Sequence, residues 1–290
     1  MKKKYLLLPI LALAILCSCG GGGGETLTRQ ATPTTTTTTQ PALTTTAISG
    51  STTSTATVST TAEEVSVSKI KDLSLIPGLF VDRLYSYKSY KAVTSGKTTA
   101  SVLFINTDQS IEVTNIKGVY SYTKNESHSS LVNTVHEAYY HNDKAYYHDN
   151  DGEYKVSTIN EYLDIYGVYP YEKSLEGYSI QGDAVKSVEK VEERDGNYKF
   201  KITFDPKTAT NNVKIQMKQF GGLDGYPDFE SIVITITIKD DFTPVLVDLE
   251  SKYKATKFMT SDCHQTYTVT YSNIGEDITI PNLDGAKANI

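Results

Sequence analysis

The chain has 290 residues, with 28 lysines and arginines against 34 aspartates and glutamates, for a formal charge of −6. Beyond the first few residues it holds no basic cluster, which argues against a nucleic-acid partner and against an electrostatic hold on anionic lipid. It has three cysteines, 21 tyrosines and no tryptophan, and its length suits one domain whose core needs no disulfide staples.

Lys2, Lys3 and Lys4 precede an apolar run over residues 5–16, after which five glycines begin at Gly20. A spanning helix needs ~20 apolar residues, so this run reads as a signal-peptide core and not as a permanent anchor. Leu16-Cys17-Ser18-Cys19 resembles the lipobox of bacterial lipoproteins. That resemblance implies removal of residues 1–18, a diacylglycerol on the Cys19 thiol, and a protein anchored by lipid at the extracytoplasmic face of the cell membrane. Cys17 fits less well, because bulky Leu16 would occupy the position where a small side chain is wanted. One acyl chain binds a membrane marginally, but each buried methylene adds ~0.8 kcal/mol, so two or three chains hold firmly. Loss of the three lysines takes the charge from −6 to −9. Cys263 is then left without a disulfide partner and reads as a small buried hydrophobe. His264 is adjacent, but strand neighbours point to opposite faces, so it is badly placed to activate that thiol.

Residues 19–62 are polyglycine followed by Thr, Ser, Ala and Pro. Too little apolar surface is present there to offset the entropy of ordering, so a disordered linker is expected. As a flexible chain its root-mean-square reach is on the order of 35–40 Å. A plain spacer is the simpler reading of the threonines, a glycosylated stalk the sharper one.

A single α+β domain is expected over residues 63–290, with its last elements ending near Pro281. Pro77-Gly78 followed by Leu79, Phe80, Arg83 and Leu84 predicts a helix over residues 79–85. Strands are predicted over 89–105, 110–123, 131–140 and 144–149, with turns at Asn106-Thr107-Asp108, Asn142-Asp143 and Asn150-Asp151-Gly152. Thr158 and Glu161 are spaced as a capping box for a helix over 158–166, with Gly167 as its stop. Strands over 184–193 and 198–204 flank the turn Arg194-Asp195-Gly196. Asp205-Pro206 and Gly221 then bracket a third helix over 207–220, although Val213, Ile215 and Met217 alternate as in a strand. Strands follow over 229–238, 245–257 and 265–272. In the first of these Ile232, Ile234, Ile236 and Ile238 share one face, opposite Val233, Thr235 and Thr237.

This order of elements is similar to that of LolA and the LppX/LprG lipoproteins, over residues 70–273. The stretch from Ala138 to His148 and on to Tyr154 resembles their aromatic-rich hairpin, and Tyr87-Lys88-Ser89-Tyr90 resembles their entry into the sheet. The resemblance implies a curved antiparallel sheet, an open barrel covered by about three helices, able to shelter lipid or another apolar group. It carries over no ligand residue.

Local chemistry points away from an enzyme. The run from His136-Glu137 to His141 has one residue too many for a zinc-protease helix. A two-residue turn at Asn142-Asp143 would put Glu137, His141 and His148 on one face, but Lys144 opposes a cation there, and hairpin polarity in solvent explains the set. Reading Gly152 as the sixth position of a calcium loop makes Tyr147 the first ligand and Thr158 the twelfth, which fails. Asn125-Glu126-Ser127 is a glycosylation sequon of little meaning in bacterial export. Tyr139, Tyr140, Tyr146, Tyr147, Tyr162, Tyr166, Tyr169 and Tyr171 offer rings for a groove or simply for sheet packing. No catalytic set, metal site or cofactor is expected. Two functions stay open: binding of lipid or another apolar ligand by the sheet, or interaction with protein or cell-wall polymer through exposed tyrosines.

Overall fold

The computed structural model describes residues 65–102, 105–118, 120–129, 133–150, 152–166, 184–209, 214, 223–257 and 259–281. The expected signal peptide, Cys19, the linker, Gly167 and Gly221 lie outside them.

Eleven strands form one sheet: β1 Tyr90–Val102, β2 Ile105–Lys117, β3 Ser121–Ser129, β4 Asn133–His141, β5 Lys144–Asp149, β6 Lys155–Thr158, β7 Val185–Arg194, β8 Asn197–Phe204, β9 Asp228–Lys239, β10 Pro244–Lys257 and β11 Met259–Ser272. Their order is β6-β5-β4-β3-β2-β1-β11-β10-β9-β8-β7. Each strand therefore pairs with its neighbour in the chain except β6 and β7, which stand at opposite edges, and at the centre β1 pairs with β11 antiparallel. The edges β6 and β7 do not pair with each other, so among the described residues the sheet is open.

Turn chemistry sets much of this register. Asn142 and Asp143 take φ of 47° and 60°, as a two-residue hairpin requires, and fix His141 opposite Lys144 and Glu137 opposite His148. Asp195 and Gly196 do the same between β7 and β8, at 52° and 74°.

Among the described residues, helices are fewer and shorter than the strands. α1, Ile76–Ser86, carries Pro77 in its first turn and buries Ile76, Phe80 and Leu84 at four-residue spacing. Arg83 reaches Asp241 at 3.4 Å in the β9–β10 turn. α2, Ile159–Tyr166, starts at the expected capping box: Thr158 N–H donates to Glu161 Oε2 at 2.8 Å, and Glu161 N–H to Thr158 Oγ1 at 3.2 Å. α3 is described over Pro206–Ala209, with Lys207 N–H donating to the Asp205 carboxylate at 2.8 Å. Its expected continuation to residue 220 lies outside the described residues. No described helix is long and apolar enough to cross a membrane.

Three expectations fail within the sheet. Asn106-Thr107-Asp108 is no turn but the start of β2, where Ser101 Oγ donates to Asn106 Oδ1 at 2.7 Å and Thr99 Oγ1 to Asp108 Oδ1 at 2.9 Å. The single strand expected over 110–123 is two, because the chain reverses between Lys117 and Ser121 and continues as β3 to Ser129. The short strand β6 is additional to those expected.

Candidate functional site

We call inner the face on which the buried side chains of α1 and α2 lie. At one end α1 joins a cluster with Phe200, Ile202, Ile234, Ile236, Val247 and Leu249. At the other, Tyr162 of α2 packs on Ala138, Tyr140, Ala145 and Tyr147 of β4 and β5. The first cluster continues over β1 and β2 through Tyr90, Ala92, Ile111 and Val113, and the inner face of β3 lies between it and the second.

Across the inner face the side chains change character. One line of paired residues runs Phe200, Ile236, Val247, Val269, Thr94, Val113, Asn125, His136 and Asp149. A second runs Ile232, Ser251, Gln265, Thr98, Gln109 and Ser129. The first is apolar from β8 to β11 and, apart from Val113, polar from β1 onward; the second is apolar only at Ile232 and polar from β10 onward. Much of this polarity is paired: Ser251 Oγ donates to Gln265 at 3.0 Å, Gln109 Nε2 to Ser127 Oγ at 2.5 Å, and Thr98 shares a hydrogen bond with the Tyr267 hydroxyl at 2.9 Å. His136 Nδ1 meets Asp149 at 2.8 Å and its Nε2 meets the Tyr162 hydroxyl at 2.5 Å. Burial, then neighbouring Tyr140, drives the Tyr162 phenol far above its ordinary range.

Five buried polar atoms on this face have no partner: Thr94 Oγ1, Asn115 Nδ2, Asn125 Oδ1, the Tyr271 hydroxyl and, on β6 opposite Ala145, Ser157 Oγ. Thr94 is 1% and Asn115 4% exposed. An unsatisfied buried polar group costs about 1–3 kcal/mol, and native proteins leave few of them. Nothing in the sequence pattern marked these residues beyond their polarity at positions where the strand period points inward.

The other face holds the Glu137–His148 pair that the hairpin register requires. His148 Nε2 lies 2.9 Å from Glu137 Oε2, and its Nδ1 lies 2.9 Å from the Asn150 carbonyl oxygen. Both side chains are only 14% exposed, which corrects the solvent-exposed polarity expected for them. The Tyr154 ring lies 4.6 Å from that of His148, and beside the pair Ile278 and Ile280 of the C-terminal segment pack on Ile116, Tyr122 and Tyr139. Tyr139 donates to the Pro281 carbonyl at 2.5 Å and lies 2.8 Å from Glu137 Oε1. Burial first, and the charge of Glu137 second, raise the Tyr122 phenol well above its usual range. His141 stands further along the same face, its ring 4.3 Å from that of Tyr120. Among the described residues no group of three His, Cys, Asp or Glu side chains is placed to hold a metal.

Tyr139, Tyr140, Tyr147 and Tyr162 are buried, so these four belong to the packing on the two faces and not to an exposed aromatic patch. Tyr169 and Tyr171 lie outside the described residues. Cys263 is buried, with its thiol directed to the Ser261 carbonyl at 3.8 Å, while His264 projects from the opposite face to Glu250 at 3.0 Å. The sequon Asn125 lies within β3, directed inward. The outer face also bears two open polar grooves that share Lys97. One, of about 380 Å³, is lined by Val233, Thr235, Asp248 and Thr268; the other, of about 630 Å³, by Asn106, Asp108 and His128.

No family model matches the chain, and no curated protein matches it. Among solved structures it is similar to a putative outer membrane lipoprotein-sorting protein domain from Vibrio parahaemolyticus, at 6% identity over 76% of this chain and 100% of that one, with a TM-score of 0.27. It is similar to a LolA superfamily protein from Nitrosomonas europaea at 10% identity, over 68% and 90% of the two chains, with a TM-score of 0.24. A DUF1329 family protein from Desulfovibrio piger matches at 11% identity, over 72% and 95%, with a TM-score of 0.26.

Proposed function

We propose that the chain is an extracytoplasmic binding protein, anchored to a membrane through lipid on Cys19, whose inner sheet face takes a ligand with a large apolar part. The observation that carries the reading is the inner face itself. Eleven strands at 4.7–4.9 Å spacing make a surface roughly 48 Å wide. The longest described helix on it, α1, has 11 residues and so is about 16 Å long. The apolar field that begins at Phe200 and Ile236 continues through Val247 and Val269, all four shut off from water within the core, and the sheet's two edges stay apart. Lipobox, basic start and threonine-rich linker support placing this domain outside the cytoplasm and at a distance from the bilayer. The role is to hold an apolar molecule, not to transform it.

Native mass spectrometry of the full chain, released from its producing host in a nonionic detergent, tests the reading. The expected spectrum contains a population heavier by one lipid-sized molecule that collisional activation removes. A single mass, together with no uptake of a fluorescent fatty-acid probe, would overturn it.

A further inference from the structure

On the outer face one line of hydrogen bonds joins the C-terminal segment to the end of β5. Tyr139 has one phenolic proton and two acceptors within reach, the Pro281 carbonyl at 2.5 Å and Glu137 Oε1 at 2.8 Å. Glu137 Oε2 lies 2.9 Å from His148 Nε2, and His148 Nδ1 lies 2.9 Å from the Asn150 carbonyl oxygen. A carbonyl oxygen only accepts, so Nδ1 carries a proton, and a neutral ring then turns the bare lone pair of Nε2 towards Glu137. An ionised carboxylate also only accepts. The 2.9 Å contact therefore holds one further proton, whether on Nε2 or on Oε2. Both side chains are 14% exposed, so its loss leaves a largely buried carboxylate facing a lone pair.

We propose that residues 277–281 are a proton-dependent strap, docked on the outer face while the Glu137–His148 pair holds its proton and released when the pair gives it up. The strap lies opposite the inner face, so it stands or falls apart from the apolar-ligand reading. Its start is fixed, because Gly275 N–H donates to the Ser89 carbonyl at 2.8 Å. Its far end depends on Tyr139. With the proton in place His148 satisfies Glu137, and the Tyr139 proton is left to Pro281. Without it Glu137 is an unpaired anion, and a charge-assisted bond, about twice as strong as one between neutral groups, draws the Tyr139 proton away from the Pro281 carbonyl. By linkage the docked strap binds the proton more tightly than the released one, and docking weakens as pH rises. The other groups on this face do not supply that proton. On β3 Lys124 stands opposite Glu137 in register but bonds to Glu126 at 2.8 Å, and Glu126 pairs in turn with Glu112 of β2. His141 and Lys144 stand at the hairpin turn, four residues along from the pair. Burial before any charge raises the Tyr122, Tyr139 and Tyr154 phenols, so they stay protonated across the histidine range. At the strap itself Glu276 accepts from Asn273 at 2.7 Å and Asp277 is exposed.

The test follows the δ1-methyl signals of Ile278 and Ile280 by methyl NMR of the full chain in a nonionic detergent, from about pH 5.5 to about pH 9, either side of the ordinary histidine value of ~6.5. Packed on Tyr122 and Tyr139, these methyls are shifted by the ring currents, and on release they move to the values of an unfolded chain. The docked-to-released ratio is expected to fall roughly tenfold or more over that range, the worth of one hydrogen bond to a charged group. Glu137→Gln, whose amide donates to Nε2 and accepts from Tyr139 without titrating, is expected to keep the strap docked throughout. Tyr139→Phe cuts the line and should give a looser strap with no pH dependence. A flat wild-type profile, or a wild-type slope in Glu137→Gln, would overturn the proposal. Should Glu137→Gln fail to fold, His148→Gln decides in its place: a wild-type slope without the imidazole overturns the strap, and a flat profile upholds it.

Discussion

Tyr267 lays its ring across Gly96. The two residues are directly paired between β11 and β1, and a β-carbon on Gly96 would stand 1.9 Å from Tyr267 Cδ1 and 2.4 Å from the Thr266 carbonyl oxygen. The ring continues past the glycine to bring its hydroxyl to Thr98 at 2.9 Å, at the centre of the sheet. Backbone oxygen cannot yield as a side-chain tip can, so the close approach is fixed.

Gly96→Ala is therefore expected to destabilise the domain by about 1–3 kcal/mol, the usual range for overpacking a core. Chemical denaturation followed by tyrosine fluorescence measures it. In the Tyr267→Ala background the same substitution should cost less, and simple additivity of the two would show that the ring is not the obstacle.

Ile234 and Val233 are neighbours with opposite surroundings. Ile234 is buried on the inner face, while Val233 lines the outer groove beside Thr235 and Thr268. Val233→Trp is expected to leave the melting midpoint nearly unchanged. Ile234→Trp should either lower stability by about 1–3 kcal/mol or, if ligand space adjoins it, reduce lipid uptake with little unfolding. Equal and large losses for both would mean that the outer groove is not open to an added side chain.

Asp240 ties the segment before α1 to the β9–β10 turn. Ser66 Oγ donates to it at 2.5 Å and Ser68 N–H at 2.8 Å, and these two bonds hold its carboxyl below the usual 3.8. A lowered folded value means that the carboxylate form stabilises the fold above the ordinary range and that this contribution is lost as pH falls through the lowered value. Amide exchange at Val67 and Ser68 should therefore accelerate as pH drops from about 4 towards 2, once corrected for intrinsic rates. Asp240→Asn should flatten that dependence. A profile identical to wild type would remove Asp240 as its source.

Tyr139→Phe removes one hydroxyl that serves both Glu137 and the Pro281 carbonyl. A lost hydrogen bond to a charged partner costs about 1.5–3 kcal/mol, and the segment carrying Ile278 and Ile280 should lose protection first. Hydrogen exchange read by mass spectrometry distinguishes that local loosening from a global shift. Unaltered protection over residues 274–281 would place the hold elsewhere.

For anchoring, Cys19→Ala is expected to move the protein from the detergent phase to a soluble or unprocessed form in phase partitioning, whereas Cys17→Ala should leave it acylated. Acylation retained after loss of Cys19 would assign the lipid to another residue.

The sequence by itself determined the features that a few adjacent residues can decide. Asn142-Asp143 demanded positive φ and so set Glu137 against His148. Thr158 and Glu161 satisfied each other's backbone and started α2, and the isoleucines from Ile232 to Ile238 could only share one face. β3 escaped detection because Ser121 to Ser129 carries no apolar alternation; its strand state comes from hydrogen bonds to β2 and β4, which only the assembled sheet supplies. Asn106, Thr107 and Asp108 have turn propensity, yet pairing with Ala100, Ser101 and Thr99 satisfies their backbone and side chains in extended form. Tertiary structure likewise decided that Tyr139 and Tyr162 are packed rather than displayed, that Gly96 lies beneath a ring, and that Thr94 and Asn115 are buried without partners. Each depends on what a residue distant in the chain brings to the same place, and burial turns the free hydration of a polar side chain into a requirement for a partner that local sequence has no means to specify.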